Sequence, residues 1–108
     1  MNPPRNFILA EKVDERKLRE LFNDPETNRI LRMQTSHEVT VREEPATAGQ
    51  VAGTMSFIKD WYGYDETRGE SFFVATVHYY KRPDGSIGAS GKQDPKIVVV
   101  GGVRYIDP

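Results

Sequence analysis

His37 and His78 are the chain's only imidazoles, and at neutral pH an imidazole is the side chain best placed to move a proton or hold a metal. Each has possible helpers in sequence: Glu38 beside the first, Tyr79 and Tyr80 beside the second. If the strands that carry them pair, the two rings share a face and can form a general acid–base or metal-holding pair. A metal site normally adds a third ligand, and the chain has no cysteine to supply one. An ordinary surface or half-buried histidine is therefore the favoured reading of both, and no metal or cofactor is expected. The neighbouring carboxylates Glu43-Glu44 and Asp65-Glu66 would point to opposite faces of a strand, so neither pair can share a proton.

The stretch GSIGASGKQDPK, residues 85–96, invites comparison with a phosphate-cradling loop. Such a loop needs Gly, four residues, then Gly-Lys-Ser/Thr, so that backbone N–H groups ring the phosphate and the hydroxyl holds Mg²⁺. Counting back from Gly91-Lys92 puts Ser86 where the first glycine belongs, and Gln93 replaces the hydroxyl. Asp94-Pro95 then opposes the helix whose N-terminus should face the anion. The glycines fit a solvated hairpin turn instead, with Gly85, Gly88 and Gly91 supplying backbone freedom. In the same window, Pro83-Asp84 followed by Asp94-Pro95-Lys96 resembles the PD-(D/E)xK signature of metal-dependent nucleases. That resemblance implies a divalent ion on Asp84 and Asp94 with Lys96 near the attacking water. It covers these residues only, and Pro95 between acid and lysine suggests a strand boundary where the family has a strand.

Composition narrows the field. The chain has 108 residues, the size of one domain, with 15 basic and 16 acidic groups and a formal charge of −1. A near-neutral chain gains little from counterion release, so nucleic acid is not the favoured partner. Apolar residues make up 37%, which predicts a thin core that a partner or a second copy helps to cover. The lack of cysteine removes disulfides and thiolate nucleophiles and fits a reducing compartment. The N-terminal apolar run, Phe7 to Ala10, has four residues, far short of the about 20 needed to span a bilayer. A soluble cytoplasmic protein without membrane contact is the expectation.

The elements follow from periodicity and punctuation. Phe7 to Val13 reads as a short edge strand or an extended arm. Asp14 is a helix N-cap with Val13 positioned to staple onto Leu18, and Leu18, Leu21 and Phe22 form one apolar stripe. Asp24-Pro25 starts a second helix, with Ile30, Leu31 and Met33 towards the core and Arg29 and Arg32 towards water. His37 to Arg42 alternates as a half-buried strand. Residues 45–56 are ambiguous, and 54–62 leans to strand. Residues 71–81 are the strongest strand: Phe73, Ala75, Val77 and Tyr79 on one face, Phe72, Val74, Thr76, His78 and Tyr80 on the other. Both faces are largely apolar, which predicts cover on two sides. The chain turns at Pro83-Asp84-Gly85 and returns through Ile87. Ile97 to Val100 then pairs with Val103 to Ile106 across Gly101-Gly102. Helices followed by strands predict a single α+β domain over residues 1–108, with one or two short helices on an antiparallel sheet of about four or five strands.

That helix-then-sheet order is also similar to metal-free ribonucleases among bacterial toxins. The similarity implies a site in which His78, Tyr80, Lys81 and Arg82 stabilise phosphate charge. Such toxins are typically basic, and this chain is not. The segment Lys59-Asp60-Trp61-Tyr62-Gly63-Tyr64 points elsewhere. Tryptophan and tyrosine join apolar area to a polar tip, the profile of an interface anchor. With Lys81, Arg82, Lys92 and Lys96 around the glycine-rich turn, the sequence predicts a small non-catalytic binding or regulatory module. Trp61, Tyr62, Tyr64 and those four cations are its candidate contacts. The expected partner is another protein or a second copy.

Overall fold

A computed structural model describes residues 9–47, 49–88 and 91–107. The chain builds β1 (Leu9–Lys12), α1 (Glu15–Phe22), α2 (Pro25–Leu31), β2 (His37–Pro45), β3 (Met55–Asp65), β4 (Glu70–Lys81), β5 (Asp94–Val100) and β6 (Val103–Ile106). Phe7 and Ser90 lie outside the described residues. The helices start where their caps dictate. The Asp14 carboxylate accepts from the Lys17 amide at 2.8 Å, and Asp24 accepts from the Glu26 amide at 2.9 Å. Each acid satisfies an amide that the first turn leaves without a partner. Pro25 opens α2 in the position where a missing N–H costs nothing. No helix among the described residues is long and apolar enough to cross a membrane.

The fold is α+β, with two short helices packed on a six-stranded sheet in the order β1-β6-β5-β4-β3-β2. Two features differ from the sequence expectation. The sheet has six strands rather than four or five, and it is mixed: β1 runs parallel to β6, while every other pair is antiparallel. The added strand is the N-terminal segment, too short and too weakly apolar to be distinguished from an arm by pattern. The two helices then carry the chain across the sheet to the opposite edge, which makes a parallel pairing of β1 possible.

Three bulges set which side chains face the helices. In the β3–β4 ladder Trp61 opposes Ala75 and Tyr62 opposes Phe73, leaving Val74 without an opposite number. Val41 in β2 and Lys96 in β5 are passed over in the same way. A bulge breaks the two-residue alternation, so Val74 and Ala75 both enter the core in succession, 3% and 0% exposed. The sequence expectation for β4 is corrected accordingly. Phe72 lies against Ile30 and Gly63 on the helix side, whereas Phe73 pairs with Tyr62 on the other side.

The core lies between helices and sheet. Leu18, Val74, Ala75 and Val98 form its buried centre, with Val13, Leu21, Phe22, Ile30, Leu31 and Trp61 packed around it. Met33, expected in this core, is 39% exposed because α2 ends at Leu31. The predicted cover on both sides of β4 is also corrected: both helices pack on one face. On the other face Tyr62, Phe73, Thr76, His78 and Tyr80 remain half-buried, with His37 stacked on Tyr62 and the Arg104 guanidinium 5.8 Å from the Phe73 ring centre.

Of residues 85–96, those described form turns at 85–88 and 91–92 and the start of β5 from Asp94. The Arg82 amide donates to the Ser86 carbonyl at 2.8 Å, Asp84 accepts from the Ser86 amide and hydroxyl, and Gly85 has φ 89°. Lys81 bridges to Ile87. The β5–β6 hairpin closes on Gly101 and Gly102, both at positive φ, as a two-residue turn of matching twist requires.

Candidate functional site

The helices do not seal the helix side completely. Where α1 and the end of α2 diverge above the start of β5, they leave a half-open cleft of about 440 Å³. Phe22, Leu31, Trp61 and Pro95 give it apolar walls, and Arg19, Asn23, Lys92 and Gln93 give it a polar mouth. This volume lies within the range of small-ligand and side-chain pockets. Each wall has a local cause. Trp61 stands on β3 packed against the core and half-buried, and lines the cleft together with Phe22 of α1 and Leu31 of α2. Its indole Nε1 donates to Gln93 Oε1 at 3.1 Å, which ties the residue before β5 to the centre of β3. Arg19, flanking the apolar stripe of α1, donates to Asp94 at the start of β5 and to Glu15 one turn back, at 3.3 Å for the latter. The Arg19–Asp94 ion pair pins helix to strand at the cleft's edge.

Of the seven predicted contact residues, the structure brings two together: Trp61 and Lys92 line this cleft from segments 31 positions apart. The others are elsewhere. Tyr62 points to the open sheet face, stacked on His37 with centroids 5.5 Å apart and planes 16° apart. Tyr64 lines a shallower recess with Ile30, Met33 and Phe72. Lys81 is exposed at the end of β4, and Lys96 sits 3.8 Å from Asp107. The Arg82 Nε is buried beside Gly88, with no hydrogen-bond partner among the described residues. Sequence reasoning missed Arg19, Phe22, Asn23, Leu31, Gln93 and Pro95. The one available signal was the stripe on α1, since Arg19 and Asn23 flank Leu18 and Phe22.

The chemical candidates are spread out too. His37 and His78 do share the open face, but His37 opposes Tyr62 and His78 opposes Ile58. Four residues of β3 separate those partners, about 13 Å along the strand, so the imidazoles do not meet. His78 Nε2 lies 2.9 Å from Ser56 Oγ, and its ring meets Tyr80 edge-on at 4.7 Å. Burial lowers the His78 pKa, and Lys96 and Arg42 lower it further against an opposing effect from Asp94. The ring is therefore neutral near pH 7. A serine and a neutral imidazole in contact are two parts of a nucleophilic site. Among the described residues no carboxylate hydrogen-bonds the other ring nitrogen, so the orienting third part is not assembled there.

Asp84 and Asp94 do not converge. Asp84 caps its own turn, and the Ser86 hydroxyl and amide hold its carboxyl below the usual range. Asp94 opposes His78 on β5 and is engaged by Arg19. His78 and Lys81 are three residues apart on β4, about 10 Å, and Asp84 lies beyond Lys81. Among the described residues no group of three or more His, Asp or Glu side chains is placed to hold a metal ion. Comparison with protein-family models, with curated proteins and with solved structures finds no match.

Proposed function

We propose that the chain is a non-catalytic protein-binding module whose cleft beside Trp61 receives an apolar or aromatic side chain of its partner. One observation carries this reading. Trp61 of β3 and Lys92 of the turn before β5 meet at a half-open cleft with apolar walls and a polar mouth. That is the anatomy of an anchor pocket, in which a central side chain is desolvated inside a polar rim. The strongest charges at the mouth already have partners in Arg19–Asp94 and Arg19–Glu15, which favours a neutral anchor over a charged one. Lys92 stands at the rim of the cleft, so reversing its charge alters the mouth that a partner segment meets.

Trp61 is the only tryptophan, so its emission reports occupancy of the cleft without a label. Panning a random peptide library against the chain should enrich sequences with an aromatic or branched apolar anchor. Those peptides should shift Trp61 emission and bind at least about tenfold more weakly to Lys92→Glu. No enrichment, or binding unaffected by both Lys92→Glu and Gln93→Ala, contradicts the proposal. Cleavage of labelled RNA or DNA by the purified chain, with or without Mg²⁺, contradicts its non-catalytic part.

A further inference from the structure

Away from the Trp61 cleft, side chains capable of chemistry collect around His78 on β4. Its Nε2 lies 2.9 Å from the Ser56 hydroxyl, and its half-buried ring meets the Tyr80 ring edge-on. Two cations flank it. On one side, Arg42 of β2 and His78 both stand opposite Ile58 of β3, and residues directly opposite in a ladder share a face of the sheet. On the other side, Lys96 is the residue passed over at the β4–β5 bulge, between Pro95 opposite Val77 and Ile97 opposite Thr76. Lys96 and Arg42 both act on the imidazole, against Asp94, and the Asp94 carboxylate is already engaged by Arg19. Asp60, one row along the face, accepts from the Thr76 hydroxyl at 2.6 Å. Glu44 and Asp107 lie 3.7 Å from Arg42 and 3.8 Å from Lys96, with all four side chains partly or largely exposed. Ion pairs of that kind are weak, so they yield to a better-placed anion.

We infer that Arg42, Ser56, His78 and Lys96 form a binding site for the phosphate group of a small phosphate ester. The donors are of the right kinds. A guanidinium and an ammonium on opposite sides supply charge-assisted hydrogen bonds to a dianion. The Ser56–His78 pair supplies a donor between them whichever way its own bond runs. If the hydroxyl donates to Nε2, the neutral ring keeps an Nδ1–H for the ligand; if Nε2–H donates, the hydroxyl proton is left for it. A tetrahedral oxyanion has oxygens for both cations and for this pair, whereas a carboxylate presents two oxygens in one plane. Protonation of His78 adds a third positive charge, so the site holds a dianion more tightly as pH falls through the imidazole range. The site differs from the one that the ribonuclease similarity implies. Lys81 alternates to the opposite face, and the Arg82 Nε is buried beside Gly88. Trp61 and its cleft lie on the helix side, so the two sites can be filled independently.

The His78 ring signals of the labelled full chain, followed by nuclear magnetic resonance, test this. Near neutral pH inorganic phosphate should shift them saturably with a millimolar dissociation constant, while sodium chloride at equal ionic strength should not. Arg42→Ala and Lys96→Ala should each weaken phosphate binding at least about fivefold, and Lys81→Ala should leave it unchanged. Acetate should bind at least about tenfold more weakly than phosphate. Sulfate stays doubly charged throughout and so isolates the contribution of the ring. It should bind at least about fivefold more tightly at about pH 5.5 than at about pH 8, and His78→Gln, which keeps a neutral donor, should remove that gain. No saturable shift, or binding that survives both cation substitutions, overturns the site. Acetate that binds as tightly as phosphate overturns the phosphate class, and a sulfate affinity that is flat with pH overturns the part assigned to His78.

Discussion

Gly63→Ala is the substitution whose cost can be worked most directly from the packing. Gly63 is buried on β3 beneath α2, and a Cβ built there lies 2.4 Å from Phe72 Cζ and 2.7 Å from Ile30 Cγ2. Both distances are too short to survive, so something must give. Phe72 is 39% exposed and can swing its ring aside. Ile30 belongs to α2, and moving its Cγ2 lifts the helix that also carries Leu31, a wall of the cleft. Overpacking of this kind costs about 1–3 kcal/mol. The loss of glycine's freedom in the unfolded chain offsets about 0.4–1 kcal/mol of that. The net is about 1.5 kcal/mol of destabilisation. With an unfolding entropy of about 2.1 cal/mol/K per residue, this lowers Tm by about 7 °C for a domain this size. Thermal unfolding followed by circular dichroism reads the shift. Ile30→Leu removes the offending methyl, so the double variant should recover about 0.5 kcal/mol or more relative to additivity. A Gly63→Ala variant at or above the wild-type Tm, or strict additivity with Ile30→Leu, would refute the packing of α2 on β3 described above.

Two further predictions test separate parts of the account. Asp14→Ala should cost about 1 kcal/mol in urea unfolding, since its carboxylate is the cap of α1; an unchanged midpoint would mean that the cap does not hold the helix. The His78 pKa is lowered by burial and by Lys96 and Arg42, with Asp94, Glu44, Tyr80 and Asp107 the other titratable groups around that end of the face. The unfolded chain then binds a proton more readily than the folded one, so the stability associated with His78 is complete above about pH 6.5 and falls as pH drops below it. His78→Gln should flatten that part of the stability–pH profile, and a profile unaffected by the substitution would contradict the assignment.

Local chemistry carried much of the fold into the sequence. Asp14, Asp24-Pro25 and Gly101-Gly102 each announce a boundary through a cap or a turn that only a few residue types satisfy, and the structure uses all of them. The bulges at Val41, Val74 and Lys96 were not legible. A bulge depends on how a strand matches its neighbour, and the pattern of a single strand shows no trace of that. This is why Phe72 and Phe73 exchanged faces. The two-sided cover expected for β4 failed for a related reason: aromatic and β-branched residues look alike whether a helix, another side chain or a second copy shields them. The cleft was half legible. Trp61 and Lys92 stood out by residue type, but Gln93 and Arg19 acquire their roles only through contacts with Trp61 and Asp94.

The most direct test of the binding reading is the Trp61 indole N–H resonance of labelled full-length chain, titrated with a library-selected peptide. Occupancy of the cleft should shift that signal saturably, along with the amides of Lys92 and Gln93 and not those of Lys81 or Arg82. A peptide that binds while the Trp61 and Gln93 signals stay in place would contradict the account.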